Sequence, residues 1–147
     1  MIKDILQEIR NTITVLYPQK KLLVNSYKLE ANPITTLADG YAVNLGSASS
    51  VDYSDPYSSS LDRDIYVILT KGFKDTDLSC GSRLAAEELV IDETLAIIKA
   101  VKQSPEVLKY VVDLCYESDT GIELIEADKL LAITTSILLR VRYKEIY

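Results

Sequence analysis

The 147 residues include no histidine, which leaves carboxylates, lysines and tyrosines as the groups that could still do chemistry. Two groups of acids stand out. Glu87, Glu88, Asp92 and Glu93 fall at spacings that make 88 and 92 neighbours on a helix, so they read as one acidic flank. Asp62, Asp64, Asp75 and Asp77 could gather around a cation. A dimetal centre needs carboxylates joined by histidine or by further inward-facing helices. A calcium loop needs a glycine and a bidentate glutamate at fixed offsets. Neither pattern is present, so the α-helical acids are expected to form a solvated face and no metal ligand is assigned. The lack of histidine also removes Ser-His-Asp and Cys-His nucleophile systems and His-containing zinc sites. There is no Gly-rich phosphate loop with its lysine. No catalytic residue and no cofactor are assigned, and the chain is not expected to be an enzyme.

The cationic counterpart lies near the C-terminus. In 133–147 the odd positions read Ile133, Thr135, Ile137, Leu139, Val141, Tyr143, and the even positions end in Arg140, Arg142 and Lys144. That period of two puts an apolar face on one side of a strand and three cations on the other. The apolar face is expected to be core. The segment from Arg140 onward is expected to exceed what the fold needs and to serve assembly.

Net charge is −6, which argues against general nucleic-acid binding, since phosphate contacts need a cationic footprint. No apolar run reaches the length of a membrane helix. The start of the chain lacks the layout of a signal peptide, and the expectation is a protein made and kept in cytoplasm. Cys80 and Cys115 have no metal-type spacing and are expected to be free, partly buried thiols. Ten tyrosines against one phenylalanine favour wet or partly buried interfaces over a dry core.

The elements that must position these residues follow from periodicity. Ile2, Ile5, Leu6, Ile9, Ile13 and Leu16 predict an amphipathic helix over 2–16, ended by Tyr17-Pro18. A strand is expected over 20–29, a turn at Asp39-Gly40, and a short strand over 41–45. From 46 to 60 there are seven serines and almost nothing aliphatic, which predicts a mobile polar loop. Tyr53, Asp55 and Tyr57 are candidate docking anchors on it. A central strand over 61–73 is followed by a helix capped at Ser79 or Ser82 and running to about 103. Apolar residues surround so much of this helix that a second partner surface is expected, either the N-terminal helix or another subunit. A short helix at 105–110, a strand over 111–117, a turn at 118–121 and a strand over 122–125 lead to the closing strand. The result is one α+β domain over 1–147, with helices beside a mostly antiparallel sheet.

This layout resembles the tail terminator and tail-completion (head–tail joining) proteins of long-tailed bacteriophages. The likeness rests on an N-terminal amphipathic helix, strands and a loop, then Asp62-Arg63-Asp64-Ile65-Tyr66-Val67-Ile68-Leu69. After these come a long helix, a hairpin region at Tyr116-Glu117-Ser118-Asp119, and Ile137-Leu138-Leu139-Arg140-Val141-Arg142-Tyr143. The resemblance implies a virion subunit, assembled in the host cytoplasm, that forms a ring, typically a hexamer, at the tail or neck. Its partners would be copies of itself, the tail tube protein and the head connector proteins, with no membrane and no specific nucleic-acid recognition. No cofactor and no reaction are implied. In such a ring one patch must meet a different patch, and Arg140, Arg142 and Lys144 against Glu87, Glu88 and Asp92 are the candidate pair. Two other classes compete: a small homo-oligomeric α+β binding or regulatory module, and an enzyme using carboxylates and tyrosines. A dimer without a ring would favour the first, and a deep pocket holding paired acids the second.

Overall fold

The computed structural model describes residues 1–52, 56–73, 81–127 and 130–147. Helix α1 (Ile2–Leu16) forms where the apolar stripe is, and it buries Ile5, Ile9 and Ile13. A two-residue strand β1 (Lys21–Leu22), a 3-10 turn (Leu29–Ala31) and a one-turn helix α2 (Ile34–Leu37) follow. The long strands β2 (Asp39–Asp52) and β3 (Ser58–Phe73) precede the long helix α3 (Gly81–Gln103) and the one-turn helix α4 (Pro105–Leu108). Strands β4 (Asp113–Asp119), β5 (Glu123–Ala127) and β6 (Leu130–Ile146) complete the chain. The α+β class with a mostly antiparallel sheet is as the sequence predicts.

The sheet runs β1-β2-β3-β6-β4, with β5 also paired to β6. Among the described residues, only the β1–β2 pairing is parallel. Strands β3 and β6 pair without a break from Ser58↔Ile146 to Phe73↔Leu131, a spine of about 50 Å at 3.3 Å per residue. Their odd-numbered side chains face the helices. Ile65, Val67, Leu69, Ile137, Leu139, Val141 and Tyr143 pack with Ile5, Ile9 and Ile13 of α1 and Ile97 and Val101 of α3. The other face is covered only in part: Leu23, Leu37 and Ala42, with Leu29 and Ile68, form a smaller cluster there.

Several expectations need correction. The segment 20–29 is a strand only at Lys21–Leu22, because asparagine side chains capture its backbone. The amide of Asn25 donates to Asn32 Oδ1 at 2.9 Å, and those of Tyr27 and Lys28 donate to Asn25 Oδ1 at 3.0 and 2.9 Å. Buried Asn32 donates back to the Asn25 carbonyl at 2.6 Å. Such side-chain bonds offer the backbone an alternative to a ladder. Asp39-Gly40 is not a turn but the start of β2. A Cβ at Gly40 would sit 2.5 Å from the Thr36 carbonyl oxygen and 2.7 Å from Thr70 Oγ1, so glycine lets α2 close over the strand.

The polar stretch over 46–60 is not a loop at either end. Its first part continues β2 to Asp52, and its last part begins β3 at Ser58. A strand of serines needs no core of its own when a long neighbour supplies its backbone partners. Nor do β4 and β5 form a hairpin across 118–121. Both pair with β6 in succession, from Asp113↔Arg142 to Asp119↔Ile137 and from Glu123↔Thr134 to Ala127↔Leu130. Gly121, at φ 71°, makes the jog between them. Finally, Arg140 onward is sheet, not overhang: Val141 and Tyr143 are fully buried.

Candidate functional site

The cationic face of β6 is already matched within the chain. Asp62 and Asp64 stand directly opposite Arg142 and Arg140 in the β3–β6 register. Arg142 Nε and Nη2 donate to the two Asp62 oxygens at 2.7 and 2.9 Å. Arg140 Nε donates to Asp64 Oδ1 at 3.1 Å, and its Nη1 lies 3.6 Å from Glu117 Oε1. The Arg142 hydrogen bond holds the Asp62 carboxyl below its usual range. Exposed pairs of this kind add little to stability, but they leave Arg140 and Arg142 with partners of their own. Lys144 is exposed, opposite Ser60, and makes no ion pair among the described residues. Of the four aspartates that could gather around a cation, Asp62 and Asp64 thus face arginines; Asp75 and Asp77 lie outside the described residues.

The acids of α3 divide by helical position. Glu87 takes Arg83 at 3.1 Å. Glu88 and Asp92 are exposed. Glu93 is not part of the flank at all. It sits at the spacing of Ala86, Val90 and Ile97, on the buried side, and is 5% exposed. Its two oxygens lie 2.6 Å from Lys20 Nζ and 3.5 Å from Lys71 Nζ, and they accept no hydrogen bond among the described residues. Lys20 Nζ, its side chain fully buried, also donates to Asp39 Oδ1 at 2.6 Å, and Lys71 Nζ lies 3.3 Å from the same oxygen. Two lysines and two carboxylates thus close a neutral cluster that ties β2, β3 and α3 to the segment after α1. Sequence reasoning missed it, although the spacing of Glu93 with Val90 and Ile97 carried the signal for that residue. Lys20 carried none.

Burial opposes ionisation of Asp39, but the Lys20 hydrogen bond and the two ammonium charges outweigh it and hold the carboxyl below its usual value of 3.8. The unfolded chain then takes up this proton first as pH falls, so acid favours unfolding. The contribution of Asp39 is present above about pH 4 and is lost as pH drops through its folded value. Urea midpoints measured from about pH 5 down to pH 3 are expected to fall less steeply in Asp39→Asn than in the wild type. Some slope remains, because Asp62 and Asp119 are also held low.

Among the exposed apolar side chains of the described residues, two groups bear on the candidate site. On α3, Leu84, Ile91 and Leu95 are 54%, 50% and 62% exposed. Their i, i+7, i+11 spacing makes them one stripe, with Glu88 on the same face and Asp92 beside it. On its other side the stripe borders a groove of about 370 Å³ lined by Val90, Ile91, Leu95, Ile122 and Asp119. Asp119 forms part of the groove's wall; it accepts the Tyr116 hydroxyl and the Gly121 amide, the latter at 2.8 Å. The second surface is β1 with the turn after it, where Leu22, Val24 and Tyr27 are 53%, 80% and 92% exposed. Exposed Lys21 and Lys28 flank it.

Of the candidate docking anchors, Tyr57 is exposed and its carbonyl accepts the Tyr147 amide at 2.8 Å; Tyr53 and Asp55 lie outside the described residues. The outer edge of β2 is blunted. It carries shifts of register at 45/48 and 50/52, and Arg63 and Arg10 donate to the carbonyls of Gly46 and Val43 at 3.0 and 3.4 Å. Bulges and charged side chains of this kind discourage strand addition. Cys115 is a half-buried free thiol; burial and then Glu117, 3.2 Å from its sulfur, push its pKa up. Cys80 lies outside the described residues.

No protein-family model matches the chain, and no curated protein does. Among solved structures it is similar to a chain from "Virion of native gene transfer agent (GTA) particle" at 15% identity and a TM-score of 0.38, over 97% of this chain and 93% of that one. The likeness is slight.

Proposed function

We propose that the chain is a structural virion subunit that forms a ring at the head-proximal end of a phage tail tube, ends tube polymerisation and joins the tail to the head connector. The observation that carries this reading is the uncovered stripe of Leu84, Ile91 and Leu95 on the helix that also spans the core. A helix apolar on its inner face and again on its outer face is built to be covered twice. The first cover is the sheet; the second is another protein. The order of α1, β3, α3 and β6 supports the same reading, since those elements are among the ones on which the resemblance to tail-completion proteins rests.

Such a subunit works by geometry and not by reaction. A ring seated on the last layer of tube subunits occupies the surface on which the next layer would assemble, and its far side is left for the connector. The test is a tube-length assay with the tail tube protein of the same particle. Adding the chain during polymerisation is expected to shorten the tubes and to place extra density at one end of each. Tubes of unchanged length with no end-bound density would overturn the proposal.

A further inference from the structure

If one patch of a ring subunit is the α3 stripe, the partner patch must lie elsewhere on the same chain, because contacts in a cyclic ring join unlike surfaces. The sequence pointed to Arg140, Arg142 and Lys144. The structure gives the two arginines to Asp62, Asp64 and Glu117 and leaves Lys144 alone of that patch without an ion pair among the described residues, so a second group of exposed lysines is the stronger source of cations.

We infer that the stripe of Leu84, Ile91 and Leu95, with Glu88 and Asp92, receives the turn Lys21, Leu22, Val24, Tyr27 and Lys28 of a neighbouring copy. This rests on the ring reading and names the contact that closes it. Three observations meet in it. The first is shape. Leu23 anchors the turn in the small cluster with Leu37 and Ala42, while its neighbours Leu22 and Val24 point away and Tyr27 is almost wholly exposed. The Asn25–Asn32 hydrogen bonds hold that turn in one conformation, so little entropy is lost on docking. A projecting tyrosine beside aliphatic side chains suits the open groove along Ile91, Leu95 and Ile122.

The second is charge. Lys21 and Lys28 flank the turn, Glu88 and Asp92 flank the stripe, and none of the four makes an ion pair among the described residues. Opposite charges at the rim set register and exclude wrong pairings. The third is placement. The small cluster under the turn uses Ala42 and Ile68, on the sheet face opposite the helices. The α3 stripe faces outward on the helix side. Surfaces so placed cannot satisfy each other within one chain, and they join copies head to tail.

The test is a charge-swap mixing experiment, read by ultracentrifugation and electron microscopy. One variant carries Lys21→Glu and Lys28→Glu; the other carries Glu88→Lys and Asp92→Lys. All four positions are exposed, so unfolding midpoints are expected to match the wild type and confirm that both variants fold. Each variant alone is expected to assemble at least about tenfold more weakly, because it sets like charges together. Mixed in equal amounts they are expected to form rings again, with the two variants alternating. Tyr27→Ala is expected to weaken assembly by about tenfold or more without lowering stability. If wild-type rings form and both variants form them equally well alone, or if mixing restores nothing, this contact is wrong while the ring reading stands. If the wild type forms no ring, both fall together.

Discussion

Lys20→Met is expected to destabilise the protein by about 3–5 kcal/mol, the usual cost of removing one partner from a buried ion pair. That is a large part of the 5–15 kcal/mol that a domain of this size commonly has. The cost does not come from a lost attraction alone. Glu93 would remain 5% exposed with only Lys71, at 3.5 Å, to offset its charge. Asp39 would lose its 2.6 Å partner. Methionine fills much the same space as the lysine stem, so the loss reports charge and not volume. Adding Glu93→Leu is expected to recover most of it, since replacing both members of a buried pair with apolar groups is often close to neutral. Lys71 and Asp39 would still pair at 3.3 Å. Urea unfolding of the four-member cycle measures the coupling. A loss below about 1 kcal/mol in Lys20→Met would show that the cluster is not what holds α3 to this end of the sheet.

Ile9→Ala is expected to cost about 2–5 kcal/mol and to free α1 before the rest of the fold. Ile9 is wholly buried between Ile5 and Ile13. Helix α1 has no side-chain cap at its start and no basic residue in its last turn. Its polar ties to the sheet are long: Arg10 to the Val43 carbonyl and Thr14 to the Tyr41 hydroxyl, both at 3.4 Å, and the N-terminal ammonium to Glu145 at 3.5 Å. An isolated helix of 15 residues is marginal in water, so its apolar stripe is what keeps it folded. Amide exchange is expected to accelerate first over α1. Uniform acceleration across β3 and β6 as well would show that α1 unfolds only with the whole domain.

Elements whose periodicity decides their packing were legible. Helix α1 spans the residues its stripe marks, and the alternation in β6 placed Ile133 to Val141 in the core, though it left the burial of Tyr143 unread. What could not be read was whatever depends on a partner strand or a side-chain bond. The serines after Gly46 look unable to fold because composition reports core content, whereas β3 gives them backbone partners. The run over 20–29 looks like a strand until the side chains of Asn32 and Asn25 take the amides of Asn25, Tyr27 and Lys28. Arg140 and Arg142 look like free cations until the register sets Asp64 and Asp62 across from them. On the candidate contact, the acids Glu88 and Asp92 were legible, and the expectation of a second partner surface on α3 pointed to its stripe. The lysine-flanked turn that complements them was hidden inside an expected strand.

The central claim, that this subunit closes into a ring through unlike surfaces, is tested most directly by imaging the purified wild-type protein across a range of concentrations. Closed rings of a single size, six-fold in projection, are expected in equilibrium with monomers. Monomers alone, or two-fold dimers, at every concentration would contradict the claim.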